Sequence, residues 1–230
     1  MKWQEVRETR GSAYAALLYA VLTTIEETAE TEEALWGSRV PGLLLDPVSA
    51  LSEVRLSSRI EVYVPGTSGS RVVEVGGTAV TLRFVEPRSG YVGVDALYST
   101  AYRATLMLDR DLVARLAGET TETGVEYMLL YAEDGSVLVL EGERYRVRIP
   151  RVKVVMAYHT HPEGHCGLSA KDVESALDLL TEGGLASGSA TPTCAAVLYR
   201  HGLVDEDEYV ALRGGKQVEG RTIRAAYLRL

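Results

Sequence analysis

The sequence predicts a mixed α/β protein, a β-sheet flanked by helices, with an N-terminal α+β region of unknown type. The 230-residue chain is 46% hydrophobic and 24% charged, which is typical of a globular protein and excludes a mainly disordered, collagen-like or coiled-coil chain. Segments with helical spacing and short β-rich runs both occur along the chain. An almost unbroken apolar run over residues 152–158 is typical of a strand that is buried on both faces.

We predict two units, residues 1–100 and 102–230, because the chain is longer than an average domain and the order of elements changes near Tyr102. In the first unit, apolar residues at three- and four-residue spacing predict a helix over residues 11 to about 34, with Ser12 as a candidate cap. The Gly76 and Gly77 pair predicts a hairpin turn. The predicted strands cover residues 59–64, 71–75 and 79–85. The first unit contains no chemical motif, so the sequence assigns it no function.

The second unit is predicted to contain a strand, a short helix, a hairpin, the buried strand and a capped helix, and to close with further strands. The hairpin turns at residues 133–135, and Gly214 with Gly215 joins the last two strands. The predicted strands cover residues 103–108, 125–132, 136–140, 145–149, 152–158, 195–199, 208–213 and 222–230, and the predicted helices cover residues 109–117 and 169–180.

Charge and apolar pattern narrow the classes of partner. The 32 acidic and 24 basic residues give a net charge of -8, which repels phosphate backbones, so no nucleic-acid partner is expected. The longest apolar run, residues 13–25, is shorter than the roughly 20 residues that span a bilayer, and it has no basic leader or cleavage site. We therefore expect a cytoplasmic protein with no membrane partner. The absence of asparagine and the scarcity of glutamine indicate a thermophilic source.

Two histidines follow the buried strand directly, in the segment His-Thr-His-Pro. Residues two apart in an extended segment point the same way, so His159 and His161 can present both imidazoles to one point. The proline ends the strand, and Ser169 then opens a helix with Asp172 in its first turn. Two histidines and one carboxylate leave a fourth tetrahedral position for water, which is the arrangement of a catalytic zinc site.

Each part of this pattern also has a plainer interpretation. Ser169 and Asp172 form a variant of the helix capping box, and histidines two apart often form a hydrogen-bonded pair without a metal. The chain contains only four histidines, so the joint occurrence of all four positions within fourteen residues favours the metal site.

The segment resembles the His-x-His-Pro, Ser, Asp signature of the JAMM (MPN-plus) zinc isopeptidases in residue type and in spacing. The order of predicted elements extends the resemblance over about residues 102–230. The resemblance implies an MPN fold, which is of the cytidine-deaminase-like type. Such a fold is a mixed β-sheet flanked by helices. The resemblance also implies a zinc-dependent isopeptidase or peptidase that cleaves after the C-terminal Gly-Gly of ubiquitin-like or sulfur-carrier proteins and their conjugates.

The resemblance also implies a glutamate base on an earlier strand and a serine that donates to the oxyanion. Ser169 matches the serine. Glu126 opens a strand at the right distance before a hairpin turn, although Leu129 stands where the family usually has glycine. Glu122 is the alternative base, because the Glu-Thr-Gly that begins there resembles the entry segment of some bacterial relatives. We favour Glu126.

Cys166 lies in the loop between His161 and Ser169, which we call the metal loop. Cys194 lies directly before the strand predicted over residues 195–199. Cys166 and Cys194 are either two free thiols, as is usual in the cytosol, or a disulfide, as occurs in hyperthermophiles. We predict the disulfide, because it would pin the loop that must hold His161 and Ser169 in one geometry. His165 lies in the same loop and is not expected to contact metal or substrate, because the ligand set is complete without it.

Two further functions remain open at the level of the sequence. One is a catalytically silent MPN-type scaffold in which residues 1–100 carry a binding role. The other is a zinc amidohydrolase that acts on small molecules. Metal content separates the scaffold from both enzymes, and cleavage of a Gly-Gly-linked fusion separates the enzymes from each other. The sequence does not indicate an oligomeric state.

Overall fold

A seven-stranded mixed sheet organises the chain in the computed structural model, which describes residues 3–6, 8–142, 153–162, 164, 166–214 and 220–230. The helices are α1 (Arg10–Thr28), α2 (Glu32–Gly37), α3 (Pro47–Ser57), α4 (Asp95–Leu108), α5 (Arg110–Thr123), α6 (Ala170–Thr181) and α7 (Glu206–Arg213), with one 3-10 turn at Gly42–Leu45. The strands are β1 (Trp3–Val6), β2 (Arg39–Pro41), β3 (Arg59–Val62), β4 (Gly69–Val75), β5 (Thr78–Phe84), β6 (Tyr91–Gly93), β7 (Tyr127–Ala132), β8 (Val137–Glu141), β9 (Val154–Thr160), β10 (Ala186–Ala190), β11 (Cys194–Arg200) and β12 (Ile223–Arg229).

The sheet has the strand order β1-β8-β7-β9-β10-β11-β12. Its one parallel pair brings the segment from His159 to His161 close to the start of a helix. β9 and β10 run parallel, whereas the other neighbours in this sheet are antiparallel. Parallel neighbours need a crossover, which α6 provides here. The carboxyl end of β9 and the N-terminus of α6 therefore meet at one edge of the sheet.

Helices cover both faces of this sheet. Side chains at Met156 and Tyr158 belong to a core with α1, α4 and α5, whereas Ala157 lies on the opposite face, which α6 and α7 cover. The apolar residues whose spacing predicted α1 are fully buried in the core. They are all 0% exposed: Tyr14, Leu17, Leu18, Val21, Leu22 and Ile25. The mixed α/β class is thus confirmed.

The first hundred residues share this core. β3, β5 and β4 form a separate sheet, in which β4 and β5 make the predicted hairpin through Gly76 and Gly77, both at positive φ. Buried residues of this small sheet, such as Val62 and Leu82, belong to the same core as β7. β1 pairs with β8, and the predicted boundary near residue 101 lies inside α4.

The prediction of a strand over residues 103–108 was wrong, because this segment is the second half of α4. Its buried positions, Leu97, Tyr98, Ala101, Tyr102, Thr105 and Leu106, recur at helical spacing over the whole element, which a six-residue window does not show. The following helix begins near its predicted start but extends to Thr123, so Glu122 lies on a helix and not on a strand.

The predicted strand over residues 208–213 was also wrong, because α7 occupies it. Asp205 caps this helix by accepting the Glu208 N–H at 2.7 Å, and acidic residues fill its first turn. The predicted helix over residues 11–34 is interrupted, because α1 ends at Thr28 and Thr31 caps α2. The predicted strand over residues 145–149 and the turn residue Gly215 lie outside the described residues.

The predictions of four further elements are confirmed: the hairpin strands β7 and β8, the strand β9, and the helix α6 with Ser169 as its cap. β10 was missed, because Ala-Ser-Gly-Ser-Ala has little strand character. Within the described ranges, no helix has the length and apolarity needed to cross a membrane.

Candidate metal centre and active site

The three predicted metal ligands converge on one point. His159 Nε2 and His161 Nε2 lie 2.9 Å apart. Asp172 Oδ1 is 3.4 Å from His159 Nε2, and Asp172 Oδ2 is 3.9 Å from His161 Nε2. Each of the three side chains is between 14% and 21% exposed, so the cluster is largely shielded but reachable from solvent.

These distances fit a zinc ion. Ligand bonds of about 2.0–2.2 Å and a tetrahedral angle place neighbouring donor atoms about 3.3–3.6 Å apart. The 3.4 Å between Asp172 Oδ1 and His159 Nε2 falls within that range, and the 2.9 Å between the two imidazole nitrogens is slightly shorter. The donor types, two imidazoles and one carboxylate, are also those of catalytic zinc sites with an open position. No other group of three or more histidine, cysteine or acidic side chains is arranged in this way among the described residues.

Strand alternation places both imidazoles on one face of β9. His159 belongs to the strand, and the His161 N–H continues the pairing with β10 by donating to the Ala190 carbonyl at 2.8 Å. Thr160, between them, points to the opposite face and is fully buried. The strand therefore continues through the motif before the chain turns away.

Asp172 is held by a complete capping box at the start of α6. The Ser169 N–H donates to Asp172 Oδ2 at 2.7 Å, and the Asp172 N–H donates to Ser169 Oγ at 3.2 Å. Burial on its own raises the pKa of Asp172, but the hydrogen bonds from Ser169 and the nearby imidazoles outweigh it, so the net pKa is lowered. The carboxylate is therefore ionised, as a metal ligand must be.

Burial also sets the state of His159. Desolvation lowers the pKa of this imidazole, and the opposing charges of Asp172 and Glu126 only partly offset the effect. The neutral imidazole, which is the form that binds metals, is therefore favoured near neutral pH.

The structure brings Glu126, but not Glu122, to this site. Glu126 directly precedes β7 and lines the same cleft as His159 and Asp172. Met128 pairs with His159, and extending this antiparallel register by two residues places Glu126 opposite His161. Glu122 lies in the last turn of α5 and does not line this cleft. Ser169 is exposed and bonds to Asp172, and it is likewise absent from the lining.

A cleft of about 790 Å³ extends from the metal cluster between β9 and α6. Its floor is apolar, with Met128, Leu130 and Ala157, and Gly188 lies on the neighbouring strand. Its charged lining consists of Glu126, Asp172, Asp178 and Glu182 with Lys153 and Lys171. Apart from Glu126 and Asp172, the sequence analysis did not identify these charged residues. Alternation along β7 and β9 from Glu126 and His159 points to the floor residues.

The predicted disulfide is present. Cys166 and Cys194 are bonded, with their Cα atoms 6.1 Å apart, and the bond ties the metal loop to the start of β11. Ser189 Oγ, on β10, donates to the Gly167 carbonyl at 2.8 Å and holds the same loop from a second strand. His165 lies outside the described residues.

Comparisons of the chain with protein-family models, with curated protein sequences and with solved structures found no match.

Proposed function

We propose that this protein is a zinc metallopeptidase of the JAMM (MPN-plus) type, with an MPN-like fold. It would hydrolyse isopeptide or peptide bonds after the C-terminal Gly-Gly of a ubiquitin-like or sulfur-carrier protein. The observation that carries the proposal is the convergence of His159, His161 and Asp172 at the end of a cleft that is lined by His159, Asp172 and Glu126. The resemblance of the His-x-His-Pro, Ser, Asp segment to that family supplies the substrate class.

The residues of the cleft divide the chemistry between them. Zinc, when bound, lowers the pKa of a coordinated water and polarises the scissile carbonyl. Glu126 would take the proton of the attacking water and return it to the leaving amine. Ser169 Oγ accepts the Asp172 N–H, so its hydroxyl proton remains available to donate to the oxyanion.

The shape of the cleft supports an extended peptide as substrate. Its volume is within the range of about 300–1,000 Å³ that is typical of ligand sites. Small residues on the floor, Ala157 and Gly188, leave room for a backbone to approach the sheet closely. Two glycines before the scissile bond would suit such a passage, because they add no side-chain bulk.

Cleavage of matched fusion proteins tests the proposal. A ubiquitin-like domain is joined to a reporter through Gly-Gly, and a second fusion carries Val-Val at the same two positions. We expect the zinc-loaded protein to cut the first fusion after Gly-Gly and to leave the second intact. Hydrolysis of N-acyl amino acids with both fusions intact would instead favour the small-molecule amidohydrolase. Bound zinc with no hydrolysis of either class would contradict both enzymes.

A further inference from the structure

The peptide unit that joins Glu126 to Tyr127 is held at both ends. Its carbonyl oxygen accepts the N–H of Gly142 at 2.7 Å. Its N–H donates to the side chain of Thr160, with 2.8 Å between Tyr127 N and Thr160 Oγ1. The first bond continues the pairing of β7 with β8, and the second runs toward β9. Rotation of this peptide plane would break at least one of the two bonds.

Thr160 is well placed to be a fixed acceptor. It is 0% exposed, and its Oγ1 lies 2.6 Å from Thr120 Oγ1 on α5. Thr120 in turn donates to the Leu116 carbonyl at 3.1 Å. When Thr160 donates to Thr120, Thr120 accepts one bond and donates one, and Thr160 donates one bond and accepts the Tyr127 N–H. This order satisfies every polar group in the chain of bonds.

On the carbonyl side of this peptide unit, the hydrogen-bond donor is a glycine, Gly142. A Cβ built at Gly142 would lie 2.8 Å from the Glu126 carbonyl oxygen, which is closer than real side chains approach. Gly142 therefore permits the short bond that holds the carbonyl. The backbone at Glu126 is fixed, although Glu126 itself precedes the first residue of β7.

We propose that Thr160 is a positioning residue for Glu126, an inference that rests on the proposed function. β9 carries His159 on one face and the Thr160 hydroxyl on the other. One strand therefore sets the position of the metal ligands and, through Tyr127, the position of the base. Thr160 does not touch substrate or metal in this account. It acts by keeping the Glu126 carboxylate at a constant place relative to the metal ligands.

The test compares three variants of the full-length protein. Thr160→Val removes the hydroxyl with little change in shape, and Thr160→Ser retains it. Thr105→Val is the matched control, because Thr105 is also 0% exposed and its hydroxyl has no hydrogen-bond partner among the described residues. The readouts are kcat and KM on the Gly-Gly fusion, zinc content, and the exchange rate of the Tyr127 amide proton measured by NMR.

We expect Thr160→Val to lower kcat by about 10- to 100-fold, since displacing a reacting group by about 1 Å has an effect of this size. KM and zinc content should stay near wild type, and the Tyr127 amide should exchange faster. Thr160→Ser should restore both kcat and amide protection, and Thr105→Val should alter neither. Wild-type kcat in Thr160→Val, with the Tyr127 amide exposed, would overturn the positioning role.

If Thr160→Val does not fold, the variant Thr120→Val tests the same proposal. It leaves β9 unchanged but removes the partner of the Thr160 hydroxyl, so we expect lower kcat and faster Tyr127 exchange. Wild-type values of both would overturn the proposal. A wild-type protein that cleaves no Gly-Gly fusion would overturn the proposed function itself. The exchange rate of the Tyr127 amide can be measured without activity, so it tests the Thr160 hydrogen bond independently of that outcome.

Discussion

At the scale of single residues, Asp172 caps a helix and faces the two histidines of the candidate metal site with one carboxylate. Its Oδ2 accepts the Ser169 N–H of the capping box, and its Oδ1 is the oxygen nearest His159. The plainer interpretation of the sequence, a capping box, is therefore correct and does not compete with ligation. The cap fixes the orientation of the carboxylate before any metal binds.

The first prediction concerns the base. Glu126→Gln is expected to retain zinc but to lower kcat by at least about 100-fold, because an amide cannot accept the proton of water. Glu122→Gln is the matched control, since Glu122 is exposed and lies at the end of α5 outside the cleft. Steady-state cleavage of the Gly-Gly fusion measures both. The reverse pattern, with Glu122→Gln inactive, would show that Glu126 is not the base.

A second prediction concerns the pH dependence of stability. Burial lowers the pKa of His201, with a smaller contribution from Arg224, within a group of aromatic rings that includes Trp36 and Tyr98. The unfolded chain then binds the proton more strongly. The contribution of His201 is complete above about pH 6.5 and is lost as pH falls through the lower pKa of the folded state.

We therefore expect His201→Gln to reduce the fall in Tm between about pH 7.5 and 5. Zinc-loaded wild-type and variant proteins are compared, so that the pH dependence of metal binding is common to both. An unchanged slope of Tm against pH in His201→Gln would contradict the lowered pKa.

At the scale of elements, the metal loop is held between two fixed points, β9 and α6. The third prediction is that breaking its disulfide loosens it. The bond between Cys166 and Cys194 closes a loop of 28 residues, for which the chain-entropy model gives roughly 3–4 kcal/mol of stabilisation. Cys166→Ser with Cys194→Ser should lower the free energy of unfolding by about this amount.

Thiol titration of the denatured, non-reduced protein provides the direct check. It should find no free thiol in the wild-type protein when purified in air. Two free thiols, or equal stability of the double serine variant and the wild type, would contradict a structural role for the bond.

Elements around the motif could be predicted because their signals are local. The capping residues of α6, the apolar run of β9 and the Gly pair of the β4–β5 hairpin each act through neighbouring residues. β10 could not be predicted from its own residues. Gly188 is required there because a Cβ would lie 2.2 Å from the Ala196 carbonyl oxygen, a constraint that only the packed neighbour β11 imposes.

In the candidate site, too, the residues with local signals could be predicted, and those that depend on distant neighbours could not. The three candidate ligands lie within fourteen residues of sequence, so their convergence could be predicted from spacing. The choice between Glu126 and Glu122 depended on where α5 ends, which the sequence analysis placed six residues too early. Thr160 was visible only as the residue between two histidines, because its partners lie 33 and 40 residues away along the chain.

At the scale of the whole molecule, a buried ion pair joins the two halves of the chain. Arg200, at the end of β11, donates to Glu26 Oε1 on α1 at 2.6 Å, and the two side chains are 3% and 9% exposed. Tyr98 on α4 donates its hydroxyl to the same oxygen. Arg200 also donates to the carbonyls of Gly183 and Gly184, between α6 and β10.

The fourth prediction is that the chain unfolds in one cooperative transition. Glu26→Ala leaves the Arg200 guanidinium buried without its partner, so it should cost about 3–5 kcal/mol and shift that transition as a whole. Glu27→Ala is the control, because Glu27 pairs with Arg71 at 3.3 Å on an exposed surface, where such pairs contribute about 0–1 kcal/mol. Calorimetry that resolves two transitions, only one of them shifted by Glu26→Ala, would instead support two independent units.

Zinc content tests the central claim most directly. Elemental analysis of protein purified with zinc present should find about one zinc per chain, held by two histidines and one carboxylate. Asp172→Asn changes the third ligand while His159 and His161 remain, and His161→Ala removes an imidazole, so both variants should lose most of the zinc. A wild-type protein without zinc, or full zinc content in His161→Ala, would contradict the account.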